Sequence, residues 1–85
     1  MNIDEVKQTI SRGNTAAKQG RETLERGVTE ARDAGMLAQR VTHDSAHDHV
    51  TQMSRKLNEL RLELERTVRR YESAIEHANS YAARI

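Results

Sequence analysis

Thr42-His43-Asp44-Ser45-Ala46-His47-Asp48-His49 is polar, and no apolar period runs through it. Toward the N-terminus, alternating steps of three and four from Ile3 land on Val6, Ile10, Gly13, Ala17, Gly20, Leu24, Gly27, Ala31, Ala34, Ala38 and Val41, all apolar or glycine. Toward the C-terminus the same steps from Val50 land on Met53, Leu57, Leu60, Leu64, Thr67, Tyr71, Ala74, Ala78, Tyr81 and Ile85, with Thr67 the one departure. Such steps keep side chains on one face of an α-helix, so each half reads as a helix with a heptad seam. Ser45, three residues before Asp48, resembles a capping box and starts the second helix near Ala46. The reading is one domain over 1–85: a helix over 3–42, a turn at 43–45 and a helix over 46–84. A turn this short sets the helices antiparallel, each about 57 Å long at roughly 1.5 Å per residue. The predicted fold is all-α, an antiparallel, coiled-coil-like two-helix hairpin.

Composition agrees with that reading. The 85 residues are 32% charged, 35% hydrophobic and 2% aromatic, with no Pro and no Cys, which excludes a sandwich, barrel or mixed sheet. Fourteen Lys and Arg against thirteen Asp and Glu leave a formal charge of +1. No excess field therefore gathers nucleic acid or an anionic membrane. The absence of Cys removes disulfides and thiolate metal sites. No run approaches the roughly 20 apolar residues of a membrane span, and Met1-Asn2-Ile3-Asp4-Glu5 has no apolar signal-peptide segment. The expectation is a soluble, cytoplasmic chain.

The seams differ in side-chain size. Gly13, Gly20 and Gly27 stand seven apart, and in an antiparallel hairpin Ala78, Tyr71 and Leu64 lie at similar levels. Each glycine costs about 1 kcal/mol of helix propensity relative to Ala, so a line of three predicts close backbone approach or a bulky side chain over each gap. Tyr71 and Tyr81 are the natural covers for Ser11–Thr23, which has no bulky apolar residue. Val28, Met36, Leu37, Leu62, Val68 and Ile75 fall off the seam, and Val28, Val68 and Ile75 form a surplus stripe. A second helical surface is expected on it, pairing hairpins into a four-helix bundle. The predicted interface is Gly13, Gly20, Leu24, Gly27, Val28, Leu57, Leu60, Leu64, Val68, Tyr71 and Ile75, with a homodimer or another helical protein as partner.

Reactive chemistry finds little support. His43, Asp44, His47, Asp48 and His49 could offer imidazole and carboxylate to zinc or nickel, but their spacing matches no zinc motif; they read as a solvated, pH-sensitive turn. His77 reads as a surface residue. No Ser, His and Asp set converges on a two-helix rod, so no enzyme, cofactor, metal or small-molecule substrate is expected. Arg66, Arg69 and Arg70 are interleaved with Glu63, Glu65 and Glu72, which cancels their field. A small nucleic-acid-binding or antitoxin-type regulator is the alternative reading.

Three segments, Met1-Asn2-Ile3-Asp4-Glu5-Val6-Lys7, Thr42-x-x-Ser45-x-His47-x-x-Val50 and Tyr81-Ala82-Ala83-Arg84-Ile85, resemble small actinobacterial helical hairpins. Those are single-domain proteins and N-terminal segments of polymorphic toxins, similar in length and shape to WXG-type substrates of type VII secretion. The resemblance implies a helical adaptor or targeting partner in a toxin or secretion system, exported by a non-classical route. Asp44-Ser45-Ala46 stands where Trp-x-Gly belongs, and Ile75 and Ile85 follow Tyr71 and Tyr81 where an acidic residue belongs. On that pattern the chain travels bound to a partner that carries the export signal.

Overall fold

Two α-helices, α1 over Ile3–Arg40 and α2 over His47–Arg84, form the chain in a computed structural model that describes residues 1–40 and 47–85. The expected turn at 43–45, the Ser45 cap, His43, Asp44 and the side chain of His47 lie outside the described residues. Asn2 caps α1: the Glu5 N–H donates to its Oδ1 at 2.8 Å, and the Val6 N–H to its carbonyl at 3.0 Å. Asp4 and Glu5 in the first turn of α1, and Arg40 and Arg84 in the last turns of α1 and α2, complement the helix dipoles.

The helices pack antiparallel into a rod of 66 × 15 × 14 Å, the predicted all-α hairpin. A Cβ built on Gly27 would lie 3.3 Å from Leu64 Cδ1, and one on Gly20 would lie 3.0 Å from the Tyr71 ring. Seven residues forward on α1 are thus seven back on α2. Nearer the open end, Asn14 Nδ2 donates to Asn79 Oδ1 at 2.7 Å, linking the two helices.

One of the two seam lines of α2 is as expected: Val50, Leu57, Leu64, Tyr71, Ala78 and Ile85 are all part-covered. The other is displaced by one residue. Ser54, Arg61, Val68 and Ala82 are part-covered and Ile75 is buried, whereas Met53, Leu60, Ala74 and Tyr81 are exposed. The surplus stripe expected from Val28, Val68 and Ile75 is therefore not free; these residues belong to the packing between the two helices. On α1, Ile10, Ala17, Leu24, Ala31 and Ala38 carry the seam, while Ile3, Gly13 and Ala34 are exposed and Asn14 and Gly35 are part-covered.

The displacement has a physical cause. Val68 and Ile75 are purely aliphatic, and burying such a side chain is worth about 1.5–3 kcal/mol. Tyr81 in place of Ala82 would bring a hydroxyl that needs a partner, and Thr67 and Ala74, the former with its hydroxyl already donated to the Glu63 carbonyl, would bury less aliphatic surface than Val68 and Ile75. Arg61 is tolerated in the seam because its stem covers apolar surface while its guanidinium reaches Glu65 Oε1 and Asn58 Oδ1, both at 2.8 Å. Among the described residues only Ala31, Ala38 and Ile75 are buried apolar ones, so the core is one thin seam.

The glycines fall into two kinds. Gly20 lies under the Tyr71 ring and Gly27 under Leu64, but a Cβ on Gly13 or Gly35 would meet nothing within 4 Å. Gly13 is open because the side chain one heptad beyond Tyr71 is the short Ala78. Tyr81 does not cover the small-residue segment either; it is exposed. Gly13→Ala and Gly35→Ala are therefore each expected to stabilise the hairpin by up to about 1 kcal/mol in thermal melts, the helix-propensity gain. Gly20→Leu should instead overpack the seam and cost about 1–3 kcal/mol. In a Tyr71→Ala background that penalty should disappear, a coupling that a double-mutant cycle reads directly.

Candidate association surface

The seam has two rims, and their chemistry differs. On one rim α1 presents Asn14, Arg21, Val28 and Gly35, flanked by Lys18, Glu25, Arg32 and Gln39, beside Asn58, Glu65, Glu72 and Asn79 of α2. Here lie the Asn14–Asn79 bond, the Arg61 fork to Glu65 and Asn58, and the Arg21–Glu25 pair at 3.6 Å. A hollow of about 160 Å³ opens on this rim between Ala31, Gly35, Ser54, Leu57 and Arg61. It exists because Ser54 and Gly35 occupy places where larger side chains would close the seam; Ser54 Oγ, buried there, has no hydrogen-bond partner. A second hollow is lined by Val28 and Val68 with Glu25, Glu65 and Arg69.

On the other rim α1 presents Gly13, Gly20, Gly27 and Ala34, flanked by Ala16, Thr23, Glu30 and Leu37, and α2 presents Met53, Leu60, Thr67, Ala74 and Tyr81. Glu30 is the single charge among these thirteen positions. Leu37 is 58% exposed, Met53 46%, Leu60 45% and Tyr81 54%. The two threonines bring no idle donor: Thr23 Oγ1 donates to the Gln19 carbonyl at 3.1 Å and Thr67 Oγ1 to the Glu63 carbonyl at 3.0 Å. These thirteen positions can be covered without stranding a charge or a hydroxyl proton, apart from Glu30 and the Tyr81 hydroxyl, and the charges of α2 on this side, Lys56, Glu63 and Arg70, stand on the exposed line that borders them.

Of the interface residues expected from sequence, the structure brings Gly20, Leu24, Gly27, Val28, Leu57, Leu64, Val68, Tyr71 and Ile75 together inside the hairpin, part-covered or buried. They hold the two helices to each other. Gly13 and Leu60 alone of that set are exposed. The exposed apolar side chains Met53 and Tyr81, with Ala16, Ala34 and Ala74, were missed as surface candidates, whereas Leu37, expected off the seam, is exposed. Their signal is that the line 53, 60, 67, 74, 81 contains no charge, whereas 58, 65, 72, 79 on the other rim holds two glutamates. Leu62 and Met36 are exposed elsewhere, as are Met1 and Ile3 at the open end.

Among the described residues no three His, Asp or Glu side chains gather into a set that could hold a metal. His49 and His77 are exposed on α2. No helix among them is long and apolar enough to cross a membrane. No protein-family model, curated protein or solved structure matches the chain.

The hollow at Ser54 yields a test of this description. Ser54→Leu removes an unpartnered buried hydroxyl and fills empty space, so it is expected to raise the stability of the hairpin by about 1–2 kcal/mol in a chemical denaturation series. Ser54→Ala should deliver only the smaller part of that gain.

Proposed function

We propose that the protein is a non-enzymatic helical association module, whose work is to pair with other helices through the uncharged rim. The observation that carries the reading is that Leu37, Met53 and Leu60 stand exposed among thirteen rim positions with one charge, while among the described residues just three apolar ones are buried. Apolar area gathered on one face of a protein with so thin a core is an association site, because covering it supplies stabilisation that the two helices cannot give each other. The resemblance of the ends and turn to the toxin-associated hairpins supplies the setting: an adaptor or targeting partner in a toxin or type VII-like secretion system.

The reading predicts a species larger than one chain. Sedimentation at micromolar concentration should give a dimer or, with a cognate helical partner co-expressed from a neighbouring toxin or secretion gene, a heteromeric complex. The melting temperature of the isolated protein should rise with concentration, as mass action requires when association stabilises the fold. A monomer that melts sharply at the same temperature across a hundredfold range of concentration overturns the reading.

A further inference from the structure

We propose that a second copy of this chain packs on the uncharged rim, antiparallel to the first, about a two-fold axis that crosses α2 at Thr67. The proposal rests on the association reading and assigns its partner, face and register.

Bulk is unevenly distributed along the rim. Leu37, Met53 and Leu60 stand toward the end where α1 finishes and α2 begins, while Gly13, Ala16 and Ala74 lie toward the other, where Tyr81 is the one bulky side chain and a Cβ on Gly13 would meet nothing within 4 Å. Two copies laid parallel would set Leu60 on Leu60 and Ala74 on Ala74. Laid antiparallel, Leu60 of each copy meets the small Ala74 of its neighbour, and Met53 meets Tyr81, a sulfur–ring contact. A two-fold pair requires this self-complementarity, since whatever residue i meets on the second copy must meet i in return.

The register follows from the line on α2. With Thr67 on the axis, Leu60 of one copy lies opposite Ala74 of the other, and Met53 opposite Tyr81. On the adjoining line the same axis brings Glu63 of each copy within one residue's rise, about 1.5 Å, of the level of Arg70 of the other, so the pairing also matches charge twice. Within one chain neither of these side chains forms an ion pair with another described residue. The hydroxyl of Thr67, which would face its own copy across the axis, is already committed to the Glu63 carbonyl. Area is sufficient as well. A face 66 Å long and 14 to 15 Å wide reaches the roughly 800 Å² per partner of a stable interface only when the rods overlap along most of their length. End-to-end contact or a short crossing would not.

Because the chain has no cysteine, single-cysteine variants report on the pairing without background. With a short bismaleimide, Thr67→Cys should link to itself, and Leu60→Cys mixed with Ala74→Cys should give the mixed dimer in preference to either self-linked product. Asn58→Cys, on the other rim, should stay unlinked. Glu63→Arg and Arg70→Glu should each raise the dissociation constant on the order of tenfold. The Glu63→Arg/Arg70→Glu double variant should restore it, with helical circular dichroism confirming that all three fold. Efficient linking through Asn58→Cys, or of Leu60→Cys to Glu30→Cys rather than Ala74→Cys, would overturn the proposal while leaving association intact. So would single charge reversals that leave the dimer unchanged. A wild-type chain that sediments as a monomer overturns both this and the association reading.

Discussion

The seating of Tyr71 over Gly20 and Leu64 over Gly27 fixes the rest of the molecule. A ring resting 3.0 Å from the place of a Cβ holds the rotation of the helices, since no residue with a Cβ can stand beneath it, while a slide by one heptad, which would carry Tyr71 to Gly13 or Gly27, would break the Asn14–Asn79 hydrogen bond. The glycines weaken α1 as an isolated helix and make it specific as half of a hairpin. Asn14 and Asn79 add a directional hydrogen bond in the same register, which an apolar seam alone would not provide.

From that register the rotation of each helix follows, and the rotation sorts the surface. With glycines at one edge of the α1 seam, α2 leans its large side chains over them and turns Val68 and Ile75 into the interior. The charged edge of the seam then gathers on one rim, where Arg21, Arg61, Glu25 and Glu65 pair locally within their own helices. Such part-exposed pairs contribute about a few tenths of a kcal/mol each, too little to hold the hairpin together. Their effect is on solvation: they keep the charges of that rim paired or in water, while Ser54 Oγ and Arg21 Nε are buried there without a hydrogen bond. The opposite rim inherits what the rotation left over, small residues and a line of uncharged ones.

The sequence made the hairpin legible because a heptad period over 38 residues on each side of a polar break has no other reading in a chain without proline. The pairing of Gly20 with Tyr71 was legible too, from seven-residue spacing and antiparallel order alone. The second seam line of α2 was not. Met53, Leu60, Thr67, Ala74 and Tyr81 look at least as apolar on paper as Ser54, Arg61, Val68, Ile75 and Ala82, and counting hydrophobic residues selects the wrong set. What decides is atomic: a hydroxyl that would need a partner, an aliphatic side chain that needs none, and an arginine long enough to bury its stem and keep its charge at the edge. Val28, Val68 and Ile75 were placed outside for that one reason, since an error of one residue in a seam line exchanges what is inside for what is outside.

That exchange also bears on how stability and association are related in this chain. Had Val28, Val68 and Ile75 remained on the surface, the hairpin would have carried a strongly apolar outer face and almost no interior. With those residues inside, the pair of helices has a seam of its own, and the exposed remainder is milder: leucines and a methionine at one end, alanines and glycines with the ring of Tyr81 at the other. Apolar side chains spaced in this way drive little indiscriminate aggregation. In the association proposed above, selectivity would come from shape along the rod, and the glycines that define the fold at Gly20 and Gly27 would also shape the surface a partner meets.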